Sequence, residues 1–113
     1  MSRDSATLLD IIKAARNILA FKQGLDKIAF LNDPKTQSAI LHQLMILGEA
    51  VKRLSEEFRS GHSTIPWRLI AGMRDKLIHG YDDVDLDEVW KAAEKDVPQL
   101  IQWIEPLLPS QEN

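Results

Sequence analysis

The chain of 113 residues contains no cysteine. Disulfide frameworks and thiolate-rich zinc sites are therefore excluded, and the absence fits a reducing compartment. It also lacks any run of about 18 apolar residues, the length needed to span a membrane as a helix. Arg3, Asp4 and Asp10 precede any long apolar stretch, unlike a secretory signal peptide. A cytoplasmic protein without membrane association is expected. Basic charge is lacking too: the formal net charge is −3. Tight nonspecific binding to nucleic acid normally needs a basic surface, so activity on RNA would have to rest on a local cluster of cations. Neither strand-like alternation, nor a glycine-rich phosphate loop, nor an internal repeat is visible. Glu-x-x-His and His-x-x-x-His pairs are missing; Glu49 is followed three residues later by Lys52. That argues against a helical metal site. Nothing resembles the nucleophile elbow of a serine hydrolase.

What is present is globular: 44% of residues are hydrophobic and 27% charged. The length fits one domain covering 1–113, with a frayed tail from about 109 onward. So small a chain buries a modest core, and dimerisation is a natural way to bury more.

The apolar spacing is helical throughout. Leu8, Ile11, Ile12, Ala15, Ile18 and Leu19 share one face of a first helix, with Asp4 or Ser5 as its cap and Gly24 near its end. Ile28, Phe30 and Leu31 lie in a connector with room for a helical turn. Asp33-Pro34 marks the start of the longest helix. There Ile40, Leu44, Leu47, Val51, Leu54 and Phe58 recur four and three residues apart, a seam predicted to run to Ser60-Gly61. A third helix is predicted from Thr64–Trp67, with Pro66 in its first turn, Ile70, Met73 and Leu77 on its stripe, and Gly80 as its stop. Asp85-x-x-Glu88 resembles a capping box opening the next helix. Pro98 predicts a kink there, and Pro106 and Pro109 close the element. Together these elements predict an all-α, antiparallel up-and-down bundle with its last helix kinked or split.

Three histidines are the scarce chemical resource. His42 falls off the apolar seam, and His62 sits beside Gly61 in a predicted loop; both are read as plain surface. His79 differs. It closes the string Met73-Arg74-Asp75-Lys76-Leu77-Ile78-His79-Gly80-Tyr81. On a continuing helix Asp75, four residues earlier, would share its face, accept a hydrogen bond from the imidazole, and favour the charged ring. Arg74, five residues before His79, would stand about 140° away on an ideal helix. The two converge only if the helix ends near His79 or a second subunit supplies its own pair. On spacing alone, a surface arginine, an Asp–His pair and a helix C-terminus suited to a cationic histidine explain the same residues. Trp67, Trp90 and Trp103 are read as core or interface.

The order Arg-Asp-x-x-x-His-x-Tyr from Arg74 to Tyr81 resembles the Arg-x4-His-x-Tyr signature of the HepT-like branch of the HEPN (higher eukaryotes and prokaryotes nucleotide-binding) family. The context is similar as well: Ile65-Pro66-Trp67 and Ile70-Ala71-Gly72-Met73 before the motif, Gly48-Glu49-Ala50 with Lys52-Arg53-Leu54 in the long helix, Asp83-Val84-Asp85-Leu86 and Val89-Trp90 after it. The resemblance spans Leu8 to Leu108.

It implies a homodimeric helical bundle whose two motifs line one cleft, cleaving RNA with no metal or other cofactor. It implies a toxin whose partner, a minimal nucleotidyltransferase, acts as antitoxin and can adenylylate Tyr81. RNA supplies its own nucleophile, the 2′-OH, and the product would be a 2′,3′-cyclic phosphate. His79 would then move protons, Arg74 clamp the phosphate and Asp75 orient the site. Arg68 and Lys76 would bind RNA alongside Arg74. Asp82, Asp83, Asp85 and Asp87 would recruit a basic partner or limit promiscuous binding. Two alternatives stand beside this reading: a non-catalytic HEPN subunit that binds nucleotide or scaffolds a nucleotidyltransferase complex, and an unrelated helical dimer built on the Ile40–Phe58 seam.

Overall fold

The computed structural model describes residues 2–109. The tail expected to fray lies outside them, apart from Pro109. Most of the described residues are helical; the elements in chain order are α1 (Arg3–Lys22), α2 (Lys27–Leu31), α3 (Pro34–Lys52), α4 (Glu56–Gly61), α5 (Trp67–Ala71), α6 (Met73–Leu77), a hairpin of β1 (Ile78–Gly80) and β2 (Asp83–Val84), α7 (Leu86–Lys91), a π-helical turn (Ala92–Asp96), α8 (Val97–Ile104) and a closing 3₁₀ turn (Glu105–Leu107).

α1 and α3 form the centre of the bundle. Their buried faces carry Leu8, Ile11, Ala15 and Ile18 against Ile40, Leu44, Leu47 and Val51. They run antiparallel. Asp4, at the start of α1, accepts hydrogen bonds from the Ser55 N–H (2.8 Å) and hydroxyl (2.7 Å), just beyond α3, while Asn17 reaches Gln43 near the middle of α3. The C-terminal helical run also opposes α1: Lys22 Nζ lies 5.1 Å from the Trp90 ring centroid, and Arg16 pairs with Glu105 at 3.0 Å. An antiparallel bundle is therefore present.

Helix starts follow local chemistry. Asp33 caps α3 through the Thr36 N–H with Pro34 in the first turn, and Asp26 and Asp85 cap α2 and α7 in the same way. α1 departs from expectation. Its cap is Ser2, whereas Asp4 reaches across to Ser55. The Ile40–Phe58 seam does not lie on one helix either. α3 stops at Lys52, and Ser55 starts α4 by accepting the Phe58 N–H. Ser55 thus caps one helix while bound to the first turn of another, an arrangement a periodic pattern along one segment cannot reveal.

The expected kink in the last helix is present as the π-helical turn just before Pro98. Proline lacks an N–H and its ring crowds the preceding turn, and the wider turn relieves both. Among the described residues no helix is long and apolar enough to cross a membrane.

Candidate active site on the sixth helix and the hairpin

The predicted third helix, running through to Gly80, is three pieces. Gly72 separates α5 from α6, and the helical path ends at Leu77, not at Gly80. The end is well satisfied. Ile78 is extended (φ −120°, ψ 115°), its N–H still bonds the Arg74 carbonyl, and the Asp85 N–H bonds the Leu77 carbonyl at 2.8 Å. β-branched Ile78 suits an extended backbone. Leu77 is buried beneath, which anchors the turn from helix to hairpin in the core.

In the hairpin, Ile78 pairs with Val84 and Gly80 with Asp83, so His79 is an extra residue with no opposite number. A bulge of this kind bends the strand and re-aims its side chain. His79 is exposed there, and Tyr81, next to Gly80 at the turn, is 99% exposed. The motif therefore has two halves: Arg74, Asp75 and Lys76 on a helical turn, and His79 and Tyr81 on a hairpin.

This geometry changes one expected contact. The stacking of Asp75 under His79 requires a helix through His79, and the helix stops two residues earlier. Asp75 instead pairs with Arg74 at 3.5 Å, with side-chain exposures of 86% and 50%. Among the described residues no carboxylate hydrogen-bonds His79. The early helix end is one of the two conditions under which Arg74 and His79 can converge. Within this chain no hydrogen bond or ion pair joins them.

Arg68 on α5 and Lys76 on α6 line one cleft facing α8, with Met73 between them in sequence and Trp103 opposite. Arg74 is not part of that lining. Lys76 also approaches Glu88 at 3.8 Å. The aspartates after the motif are partly engaged: Asp85 caps α7 and Asp87 pairs with Lys27 at 3.0 Å, leaving Asp82 and Asp83 exposed beside Tyr81.

His42 is exposed as expected. His62 is not plain surface: its ring lies 4.4 Å from Phe58, its Nδ1 is 2.9 Å from the Phe58 carbonyl, and its own carbonyl accepts the Trp67 indole N–H. It joins α4 to α5. Trp67 and Trp90 are core, and Trp103 is half-buried. Sequence reading missed Arg59, which lines a hollow shared with Arg68. Its signal, a cation on a separate short helix, depended on seeing α3 end at Lys52. Among the described residues no three His, Asp or Glu side chains form a metal-ligating group.

A family described as Ribonuclease HepT-like matches residues 11–107. The chain is 44% identical over 93 residues, covering 82% of it and 84% of the relative, to a protein of Thermococcus cleftensis named "Probable ribonuclease HepT". It is 39% identical over 98 residues, 87% of this chain and 88% of the relative, to a protein of Caldanaerobacter subterraneus named as a putative RNase. A similarly named protein of Methanocaldococcus jannaschii is 37% identical over 103 residues, covering 91% of this chain and 85% of that one. No solved structure matches. With its residues 11–107 matched and its fold helical apart from one short hairpin, the chain belongs to the HepT-like ribonuclease family.

Proposed function

We propose that the chain is a metal-independent endoribonuclease, with Arg74 and His79 as its catalytic residues, and that it acts as the toxin of a toxin–antitoxin pair in the cytoplasm. The observation that carries this reading is the split motif: the helix ends at Leu77 and a bulge turns His79 outward, so that Arg74 and His79 both stand open to solvent on adjoining elements. A helix continued through His79 would hold them about 140° apart.

The chemistry needs few parts. A base removes the proton of the ribose 2′-OH, the 2′-oxygen attacks the adjacent phosphorus, and the P–O5′ bond breaks as an acid protonates the leaving oxygen. The product is a 2′,3′-cyclic phosphate and a free 5′-OH. Histidine titrates in the range this demands. The Arg74 guanidinium offers a planar fork to the phosphate and its developing charge. Asp75 is a positioning residue, steadying Arg74. A homodimer bringing two motifs to one cleft would supply one His79 as base and the other as acid. Arg68 and Lys76 add local positive charge to a chain of net charge −3. Tyr81, exposed at the hairpin turn, is the acceptor for an adenylyl group from a minimal nucleotidyltransferase antitoxin.

The test is cleavage of RNA in excess chelator. Wild type cleaves, and Arg74→Ala and His79→Ala each lose at least ~100-fold, the usual scale for a general acid–base or charge-stabilising group. Activity that disappears with chelator and returns with a divalent ion contradicts the proposal.

A further inference from the structure

α5 carries a second feature that the cleavage chemistry does not use. On one side of it lies a cleft of about 350 Å³ between α5–α6 and α8, walled by Leu69, Met73, Leu100 and Trp103 and edged by Arg68 and Lys76. On the other side lies a hollow of about 430 Å³ that also contains Arg68, together with Arg59, Ser60 and Ser63. Arg68 is common to both. Leu69 is 74% exposed. Among the described residues neither Arg59 nor Arg68 pairs with a carboxylate, and Arg59 Nε is buried without a hydrogen-bond partner.

An apolar, aromatic-edged slot beside two guanidinium groups and an ammonium matches single-stranded nucleic acid, whose bases stack on apolar faces while its phosphates need cations. The clefts hold one carboxylate each, Asp96 and Glu56, against the three cations Arg59, Arg68 and Lys76. Asp96 on the rim can accept from a base N–H. A second copy of this face would bring like charges together, which disfavours a self-contact.

We propose that this surface is an RNA track extending the substrate beyond the scissile bond. One base lies in the α5–α6/α8 cleft against Leu69, Met73 and Trp103, its phosphate on Arg68, and the neighbouring phosphate sits in the hollow on Arg59 and its flanking hydroxyls. The proposal rests on the ribonuclease reading, and its test separates the two.

The probe is a fluorescein-labelled 2′-O-methyl oligoribonucleotide about 12 nucleotides long, which lacks the attacking hydroxyl and stays intact. Its binding to wild type is followed by anisotropy over a salt series. Arg59→Ala lowers the slope of log affinity against log salt by ~0.7, the value for one phosphate contact on a single strand. Leu69→Glu, at an exposed position that should not disturb folding, weakens binding about tenfold. Lys13→Ala, which removes a cation from α1, changes neither. An Arg59→Ala slope equal to that of Lys13→Ala overturns the track. So does a Leu69→Glu protein that turns from dimer to monomer, which assigns the face to a second copy. Cleavage of unmodified RNA is read in parallel. Cleavage with an Arg59-independent slope removes the track and leaves the ribonuclease reading. An Arg59-dependent slope without cleavage removes the ribonuclease reading and leaves only a face that binds single strands, and neither binding nor cleavage removes both.

Discussion

At the scale of single residues, Tyr81 makes the sharpest statement. A tyrosine almost wholly in solvent makes little packing contribution, so its exposure is available for a reaction. An adenylyl group joined through its phosphorus to the Tyr81 oxygen, with pyrophosphate leaving, would add a negatively charged phosphate to the hairpin two residues after His79 and oppose the approach of RNA there. Tyr81→Phe is expected to fold, to keep most of its RNase activity and to resist silencing by the cognate nucleotidyltransferase with ATP and magnesium. Intact mass decides: wild type gains one adenylyl group and Tyr81→Phe none, and equal gain by both would remove the tyrosine from the account. Arg74, His79 and Tyr81 are candidates on the sequence alone, because their order is distinctive. The partner of Asp75 was not legible there, because a contact four residues apart depends on where a helix ends. That end is set by Ile78 and by the distant Asp85 N–H, neither of which local periodicity weighs.

At the scale of elements, the joint between α1 and α4 is the telling one. Hydrogen bonds from Ser55 to the Asp4 carboxylate hold it below the usual carboxylate range, and those from Thr36 do the same for Asp33. A depressed folded value means that each carboxylate stabilises the fold above its unfolded value near 3.9, and that the contribution disappears as pH falls through the lower folded value. Asp4→Asn is therefore expected to lower the melting temperature at neutral pH and to flatten the loss of stability below about pH 4. An unchanged acid profile would show that the α1–α4 joint carries no linkage. Leu47, fully buried in the α3 face toward the core, should cost ~2–5 kcal/mol as Leu47→Ala in a denaturant titration, with loss under 1 kcal/mol contradicting its place in the core. The helices, the Asp33-Pro34 and Asp85 starts and the kink at Pro98 follow from capping and proline chemistry and were legible. The break after Lys52 was not: Leu54 and Phe58 keep the apolar spacing across it, so the period carries on while the helix does not. The hairpin was also hidden, since strands of three and two residues are too short to show alternation.

At the scale of the whole molecule, the separation of the motif into helical and hairpin halves gives each chain's motif one exposed arginine, Arg74, and one exposed histidine, His79. Two chains would complete an acid–base pair. Solution mass is expected to be twice the 12.8 kDa of the chain, and a fully active monomer would end the two-chain site. Gly48 on α3 faces α5 of its own chain, where an added Cβ would lie 3.6 Å from the Ile70 and Ala71 carbonyls. That is ordinary contact, so Gly48→Ala is expected to leave the fold intact and the solution mass unchanged. Arg74 and His79 are proposed to cleave RNA by 2′-OH attack without a metal. That cleavage is tested most directly by mass spectrometry of the ends left on a defined RNA after digestion in excess chelator, wild type beside His79→Ala. The account predicts 2′,3′-cyclic phosphate and 5′-hydroxyl ends from wild type and intact RNA from His79→Ala; 3′-hydroxyl and 5′-phosphate ends, or the same cyclic ends from both proteins, would contradict it.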